Sequence, residues 1–322
     1  MNDRAIPSPR GGTGPDDWSP EEVEQLQRAV RCAPSVHNTR PWSLEVHGHR
    51  AVLSRRTDQQ LDRHDITGRD QLISCGAALT NLELAVREIG WAATAEPGDS
   101  PEVIGVIRGD DRAEPTDLER ARYAAIARRT SDRRPFAPQP LTEEVRAHLR
   151  DAAGVPPVHA QWVHGQQKAL LLARSLHFAA RAYHDDREYQ RELAMWTVAP
   201  GMTGDLGLRH EALGARGVPA VGLVTSTTHL PDESRLASWI AAESVLVLSA
   251  PGDRHRAAVR TGQAMQTAWL DATSAGLAAS VMTQPLHLPE VAHALRRQLE
   301  LSGEPMVIMR FGHPAEPEDP PD

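Results

Sequence analysis

Residues 76–90, Gly76-Ala77-Ala78-Leu79-Thr80-Asn81-Leu82 running on to Gly90-Trp91, recur in character at residues 262–276. There Gly262-Gln263-Ala264-Met265-Gln266-Thr267-Ala268 runs on to Gly276-Leu277. Both intervals span fourteen residues. Each carries apolar residues at helical spacing (Leu79, Leu82, Val86, Ile89; Met265, Trp269, Ala272) beside a stripe of small residues. Each ends in a glycine where a helix C-cap needs positive φ. Two central, buried helices are predicted. A strand signal follows each, Glu102–Ile107 after the first and Ser280–Met282 with Met306–Met309 after the second. The pattern reads as one fold built twice.

Outward from these helices, Ser19-Pro20-Glu21-Glu22 is a capping box with proline at the first helical position, so a helix runs from there to about Arg31 and stops at Ala33-Pro34. Thr116-Asp117-Leu118-Glu119 repeats the box and starts a helix ending near Arg128-Arg129-Thr130. Val158–Val163 and Ser244–Leu248 read as strands, and Leu170–Tyr183 as a helix. Residues 1–18, rich in Gly, Pro and Asp, read as a disordered tail. The stretch around 187–231 fits neither half; it is either a lid or an ordinary surface insertion.

Composition removes several classes. The 322 residues carry a net charge of −8, which repels phosphate chains and argues against nucleic-acid binding. There is no apolar run of membrane-spanning length and no signal-peptide core, so a cytoplasmic protein without membrane contact is expected. Cys32 and Cys75 cannot form a disulfide scaffold and are read as reduced. Lys168 is the only lysine and follows no Gly-rich loop, which removes a Walker A site and leaves a Schiff-base lysine poorly placed. Gly-x-Ser-x-Gly, His-Glu-x-x-His and Gly-x-Gly-x-x-Gly are missing. His47 and His49, on a short strand pair turned by Gly48, have no acidic or cysteine partner at ligand spacing, so no metal site is expected.

Two loops carry the chemistry. In Ala33-Pro34-Ser35-Val36-His37-Asn38-Thr39-Arg40-Pro41-Trp42 two prolines frame small and hydrogen-bonding side chains, which predicts an extended, fixed backbone open to a flat ligand. In Arg128-Arg129-Thr130-Ser131-Asp132-Arg133-Arg134-Pro135-Phe136, four arginines and two hydroxyls fall within seven residues. In an acidic protein that is a candidate anion site, because guanidinium forks and hydroxyls match phosphate oxygens.

Together the loops resemble those of the nitroreductase family of flavoproteins, through Pro34-Ser35-Val36-His37-Asn38-Thr39-Arg40-Pro41-Trp42 and Arg129-Thr130-Ser131-Asp132-Arg133. Gly68-Arg69 followed by Ile73–Leu79, and Thr130-Ser131-Asp132-Arg133-Arg134-Pro135-Phe136, are similar to the Acg branch, whose single chain holds two nitroreductase-like halves. The resemblance spans about residues 19–314. It implies an α+β, tandem-duplicated nitroreductase-like fold of antiparallel-rich sheets packed with helices, an intramolecular pseudo-dimer, with halves at 19–112 and 113–322. It also implies one FMN per chain and a monomeric pseudo-dimer or a homodimer.

Carried over by motif, Arg129 and Ser131 would hold the FMN phosphate. Arg133 would face the N1/O2 edge of the ring, where a fixed cation stabilises the reduced anion. Pro34, Ser35, Val36 and Asn38 would line the ring and ribityl chain, and Met282, Thr283 and Gln284 would approach the N5/O4 edge. Arg40 departs from the family's frequent Gln. The implied activity is an oxidoreductase in which NAD(P)H reduces the flavin and an electron-poor acceptor (nitroaromatic, quinone or enone) is then reduced. No catalytic side chain is required, because the cofactor carries the redox chemistry. The alternatives are an FMN-sequestering storage protein and a flavin-dependent biosynthetic desaturase.

Overall fold

The two glycine-led segments become the central helices, α2 (Arg69–Glu88) and α8 (Arg254–Ser274), and they cross where the glycines meet. The computed structural model describes residues 17–98, 100–199, 202, 206–213, 216–252 and 254–315. A Cβ on Gly76 would overlap the Val259 carbonyl, and one on Gly262 would overlap the Ile73 carbonyl. Both helices therefore need glycine for the same reason: backbone lies against backbone. Next to the crossing, Gln266 Nε2 donates to Asn81 Oδ1 at 2.7 Å, and Asn81 Nδ2 donates to the Ala29 carbonyl at 2.8 Å, so the polar groups buried between the helices are largely satisfied.

Around this pair the chain repeats one topology. In the first half, α1 (Pro20–Arg31) leads to β1 (Trp42–His47), β2 (Arg50–Arg55), α2, β3 (Trp91–Pro97) and β4 (Val103–Arg112), in an antiparallel sheet ordered β1-β2-β4-β3. In the second, α4 (Glu143–Ala152) leads to β5 (His159–Trp162), β8 (Ser244–Ala250), α8, β9 (Ala278–Met282) and β10 (Glu304–Gly312), ordered β5-β8-β10-β9, again antiparallel. α3 (Asp117–Ile126) joins the halves and packs on both α2 and α8. The fold is α+β and internally duplicated, an intramolecular pseudo-dimer.

The sequence signals act locally as expected. Ser19 and Thr116 both close full capping boxes, each accepting from the backbone N–H three residues on while the glutamate reaches back. Gly90 and Gly276 end their helices at φ +84° and +74°. The second half is enlarged between β5 and β8 by α5 (Gly165–Asp185), α6 (Arg187–Met195), the short parallel pair β6 (Thr197–Val198) and β7 (Leu208–Arg209), and α7 (Glu233–Ala242). Between β9 and β10 it adds α9 (Pro289–Gln298). Parts of 187–231, including residues 200–201 and 203–205, and residues 1–16 of the expected tail, lie outside the described residues. No described helix is long and apolar enough to cross a membrane.

Candidate functional site

The first loop is held by α2. Ser74 Oγ accepts from Val36 N at 3.1 Å, the Cys75 thiol donates to the Pro41 carbonyl at 3.3 Å, and Ser35 Oγ accepts from Arg40 N at 3.0 Å. Its backbone is not extended, as its prolines predict, but coiled into a short 3-10 turn over Val36–Asn38. His37, Asn38 and Arg40 have φ of +46°, +54° and +47°; among the described residues only Glu300 shares that region without being glycine. Three strained residues in one short loop are maintained only where the surroundings over-determine them, a condition met mostly at binding sites.

The arginine loop leaves α3 and is pinned to the other half. Ser131 bridges Ala279 at the start of β9, and Asp132 N donates to the Ala279 carbonyl at 2.9 Å. Arg129 lies over the Trp269 ring at 4.5 Å, and its Nη2 donates to the Cys32 carbonyl at 3.4 Å. Burial pushes the Arg129 guanidinium down to about 10, so it stays cationic at neutral pH, and its buried Nε has no partner. Arg133 is likewise lowered by burial, and among the described residues no carboxylate pairs with it. Arg134, by contrast, is exposed and clamps Asp132 at 2.6 Å.

Between the loops lies a cavity of about 1310 Å³, walled by Pro34, Ser35, Asn38, Arg129, Ser131 and Arg133, and on the far side by Gly207–Arg209 and Arg216. Asn38 Nδ2 donates to the Gly207 carbonyl at 3.3 Å, which ties the first loop to the segment inserted in the second half. A smaller cavity of about 100 Å³ continues inward past the shared Ser35, Ser131, Arg133 and Leu208 to Val36, Thr283 and Gln284. Nine of the ten predicted site residues thus face one continuous space. Met282 does not: its side chain is buried in the second half's core, against Gly222.

The donors present suit FMN. Gln284 is 1% exposed with both amide atoms unpartnered, a donor and an acceptor side by side as an isoalloxazine edge requires. Arg129 and Arg133, both half-buried, offer positive charge for a phosphate and a ring anion. The cavity is large enough for more than one ligand.

Sequence reasoning missed the inner wall. His37, His64 and Asp70 line the smaller cavity, and His287 Nε2 approaches Asp70 Oδ2 at 2.9 Å. His37 and His64 meet edge to face at 4.4 Å. Burial, the His64 ring and Arg133 lower the His37 pKa well below its usual value, against the pull of Asp70, so His37 is neutral. Burial and the Asp70 charge push Asp65 up to about 7, whereas His287 and Arg69 outweigh burial at Asp70 and hold it well below the carboxylate range. No spacing motif links residues 37, 64, 70 and 287; the one local signal is Asp70 in the first turn of a helix capped by Gly68 at φ +70°.

Comparison with known proteins identifies the family. A family model described as "Nitroreductase family" matches residues 126–313, the arginine loop and the second half. Rv3131 of Mycobacterium tuberculosis, provisionally named an NAD(P)H nitroreductase, is 30% identical over 294 residues, 89% of this chain and 83% of that protein. The acg protein of the same organism, provisionally named likewise, is 29% identical over 323 residues, covering 95% and 94%. Among solved structures, the FMN-dependent nitroreductase NfnB from Mycobacterium smegmatis, in complex with NADPH, is 22% identical, covering 62% of this chain and 89% of its own, at a TM-score of 0.37. A nitroreductase with bound FMN from Bacteroides fragilis is 15% identical over 64% and 93%, at 0.40. With the family model covering more than half of the chain and relatives aligned along nearly all of it, this protein belongs to the nitroreductase family.

Proposed function

We propose that the chain is an FMN-dependent oxidoreductase that takes electrons from NAD(P)H and passes them to an electron-poor acceptor such as a nitroaromatic, a quinone or an enone. The observation that carries this reading is the placing of the unpartnered Gln284 amide beside the half-buried Arg133, which pairs with no carboxylate among the described residues, in one cavity shared by both halves. FMN bound there would supply the two-electron carrier between nicotinamide and acceptor. The protein's part is position and charge. Arg129 and Ser131 bind the phosphate, Arg133 holds positive charge at the N1/O2 edge, and the Gln284 amide with Thr283 faces the N5/O4 edge. Pro34, Ser35, Val36 and Asn38 form the opposing wall; Met282, packed in the core, contributes through its backbone alone.

Space favours turnover over storage. The large cavity shares Phe136, Ala137, Leu213 and Arg216 with a further one of about 980 Å³, which leaves room for a second molecule beside a flavin. The insertion around 187–231, whose Leu213 and Arg216 line both cavities, is proposed as the lid of the site, and the protein as cytoplasmic. Stopped-flow mixing with NADH or NADPH tests the function: fast bleaching of one bound FMN per chain is expected. Reduction by dithionite alone would establish sequestration instead, and a chain that binds no FMN would remove the reading.

A further inference from the structure

The inner wall holds three metal-type donors that no flavin role explains. His64 Nε2 and His287 Nε2 both point at Asp70 Oδ2, at 3.4 and 2.9 Å, and the three atoms lie within 4.8 Å of one another. Imidazole and carboxylate bonds to a zinc-like ion of about 2.0–2.2 Å place tetrahedral donors roughly 3.3–3.6 Å apart, close to the 3.4 and 2.9 Å that separate the two imidazoles from Asp70 Oδ2. All three residues are nearly shut off from solvent, at 3%, 2% and 10% exposure. Among the described residues His64 Nδ1 has no hydrogen-bond partner and its Nε2 reaches Asp70 Oδ2 only at 3.4 Å, an arrangement costly for a merely structural histidine.

The surroundings are those of a supported site. Arg69 Nε takes the other carboxylate oxygen, Asp70 Oδ1, at 3.2 Å, while its Nη atoms donate to the carbonyls of Leu286 and Thr283, which orients Oδ2 toward the two imidazoles. Asp65, buried with Oδ1 unpartnered, adds a second carboxylate to offset a dication. The donors come from three separate elements, the 57–68 loop, the first turn of α2 and the 3-10 turn before α9. Beside them the small cavity leaves a coordination position open.

We propose that His64, Asp70 and His287 bind one divalent first-row transition ion, of the class that takes two imidazoles and one carboxylate, with its open position toward the inner cavity. None of its three ligands is among the residues assigned to the flavin, although its open position faces the inner cavity that the flavin ring would share. The site fastens the 57–68 loop and the 284–287 turn to α2, and so fixes the wall that carries Gln284.

The test uses the full chain, stripped with chelator and dialysed, titrated with ZnCl2 and separately with CoCl2, with and without added FMN. One Zn2+ per chain, a rise in melting temperature on binding, and visible Co2+ absorption of a low-symmetry site are expected. His287→Gln, at the least buried ligand, should weaken Zn2+ binding by at least about 100-fold, while His47→Ala on the exposed face of β1 should leave it unchanged. Failure of the wild-type chain to bind either ion stoichiometrically overturns the proposal. So does binding that survives in His287→Gln, or that is lost in His47→Ala. Flavin binding measured alongside reports on the oxidoreductase reading separately.

Discussion

The two halves share one frame and differ in what fills it. Between β1 and β2 the chain turns at Gly48, with φ +59°, whereas between the equivalent strands β5 and β8 it makes an excursion from Val163 to Glu243. The first half supplies the strained loop and His37, His64 and Asp70 of the inner wall; the second supplies the pinned face of β9, Gln284, His287 and the Gly207–Arg209 segment. Neither half encloses the cavity alone. Duplication in one chain thus frees each copy to lose what the other keeps, while the helix pair between them retains its symmetry.

That symmetry is the first thing to break. Gly→Ala inside a helix ordinarily stabilises by about 0.5–1 kcal/mol. At Gly76 and Gly262 the added methyl would strike a carbonyl of the opposite helix, so both Gly76→Ala and Gly262→Ala should destabilise, each by roughly 4 kcal/mol. Urea midpoints measure this. Equal losses would show the crossing to be symmetric in energy as well as in shape, and a neutral result at either site would mean that the helices part freely there.

Arg310 probes a feature with no counterpart in the first half. It is fully buried on β10, donates to both Glu243 oxygens at 2.5 and 2.6 Å and to Ser280 Oγ at 3.0 Å, and lies over the Phe136 ring at 4.3 Å. Arg310→Ala leaves Glu243 without its cation and should cost about 3 kcal/mol. The double variant Arg310→Met with Glu243→Gln should recover most of that loss in thermal unfolding, which separates the charge imbalance from the lost packing.

What the sequence revealed and what it hid follow from range. The capping boxes at Ser19 and Thr116, the terminal glycines at 90 and 276 and the paired helix glycines are legible because each acts through neighbours a few residues away or through a repeated pattern. Most of the cavity wall was legible through the resemblance, on contiguous motif residues. The histidine wall was not, because His37, His64, Asp70 and His287 come together only through the docking of the 3-10 turn at 284–287 on α2. The left-handed conformation at Arg40 was hidden too, since arginine does not favour it and the loop is forced by Ser35 and Ser74. Met282 was misleading: its side chain faces the core while its neighbours Thr283 and Gln284 face the cavity.

Within the cavity, the two half-buried arginines, Arg129 and Arg133, should fail differently. Arg129→Ala removes a charge-assisted phosphate contact worth about 1.5–3 kcal/mol, so FMN affinity should fall about 10- to 150-fold with the potential of bound flavin little changed. Arg133→Ala should instead lower the reduction potential, because the lost cation favours the reduced anion. Dissociation constants and potentials for both variants decide the roles. A potential that moves with Arg129 and not with Arg133 would exchange them.

The smallest expected effect separates the two cysteines, which flank the first loop. Cys32 is exposed just after α1, while Cys75 is wholly buried in α2 with its thiol donating to the Pro41 carbonyl. Burial pushes the Cys75 thiol far up, so it holds its proton across the neutral range, and only a thiolate attacks an alkylating reagent. Iodoacetamide at pH 8 should therefore label one thiol per native chain and the second only in denaturant. Cys32→Ser should abolish native labelling and shift stability by less than about 0.5 kcal/mol, as an exposed substitution does. Native labelling of Cys75 at a comparable rate would mean that the loop detaches from α2 in solution, and with it the wall on which the cavity depends.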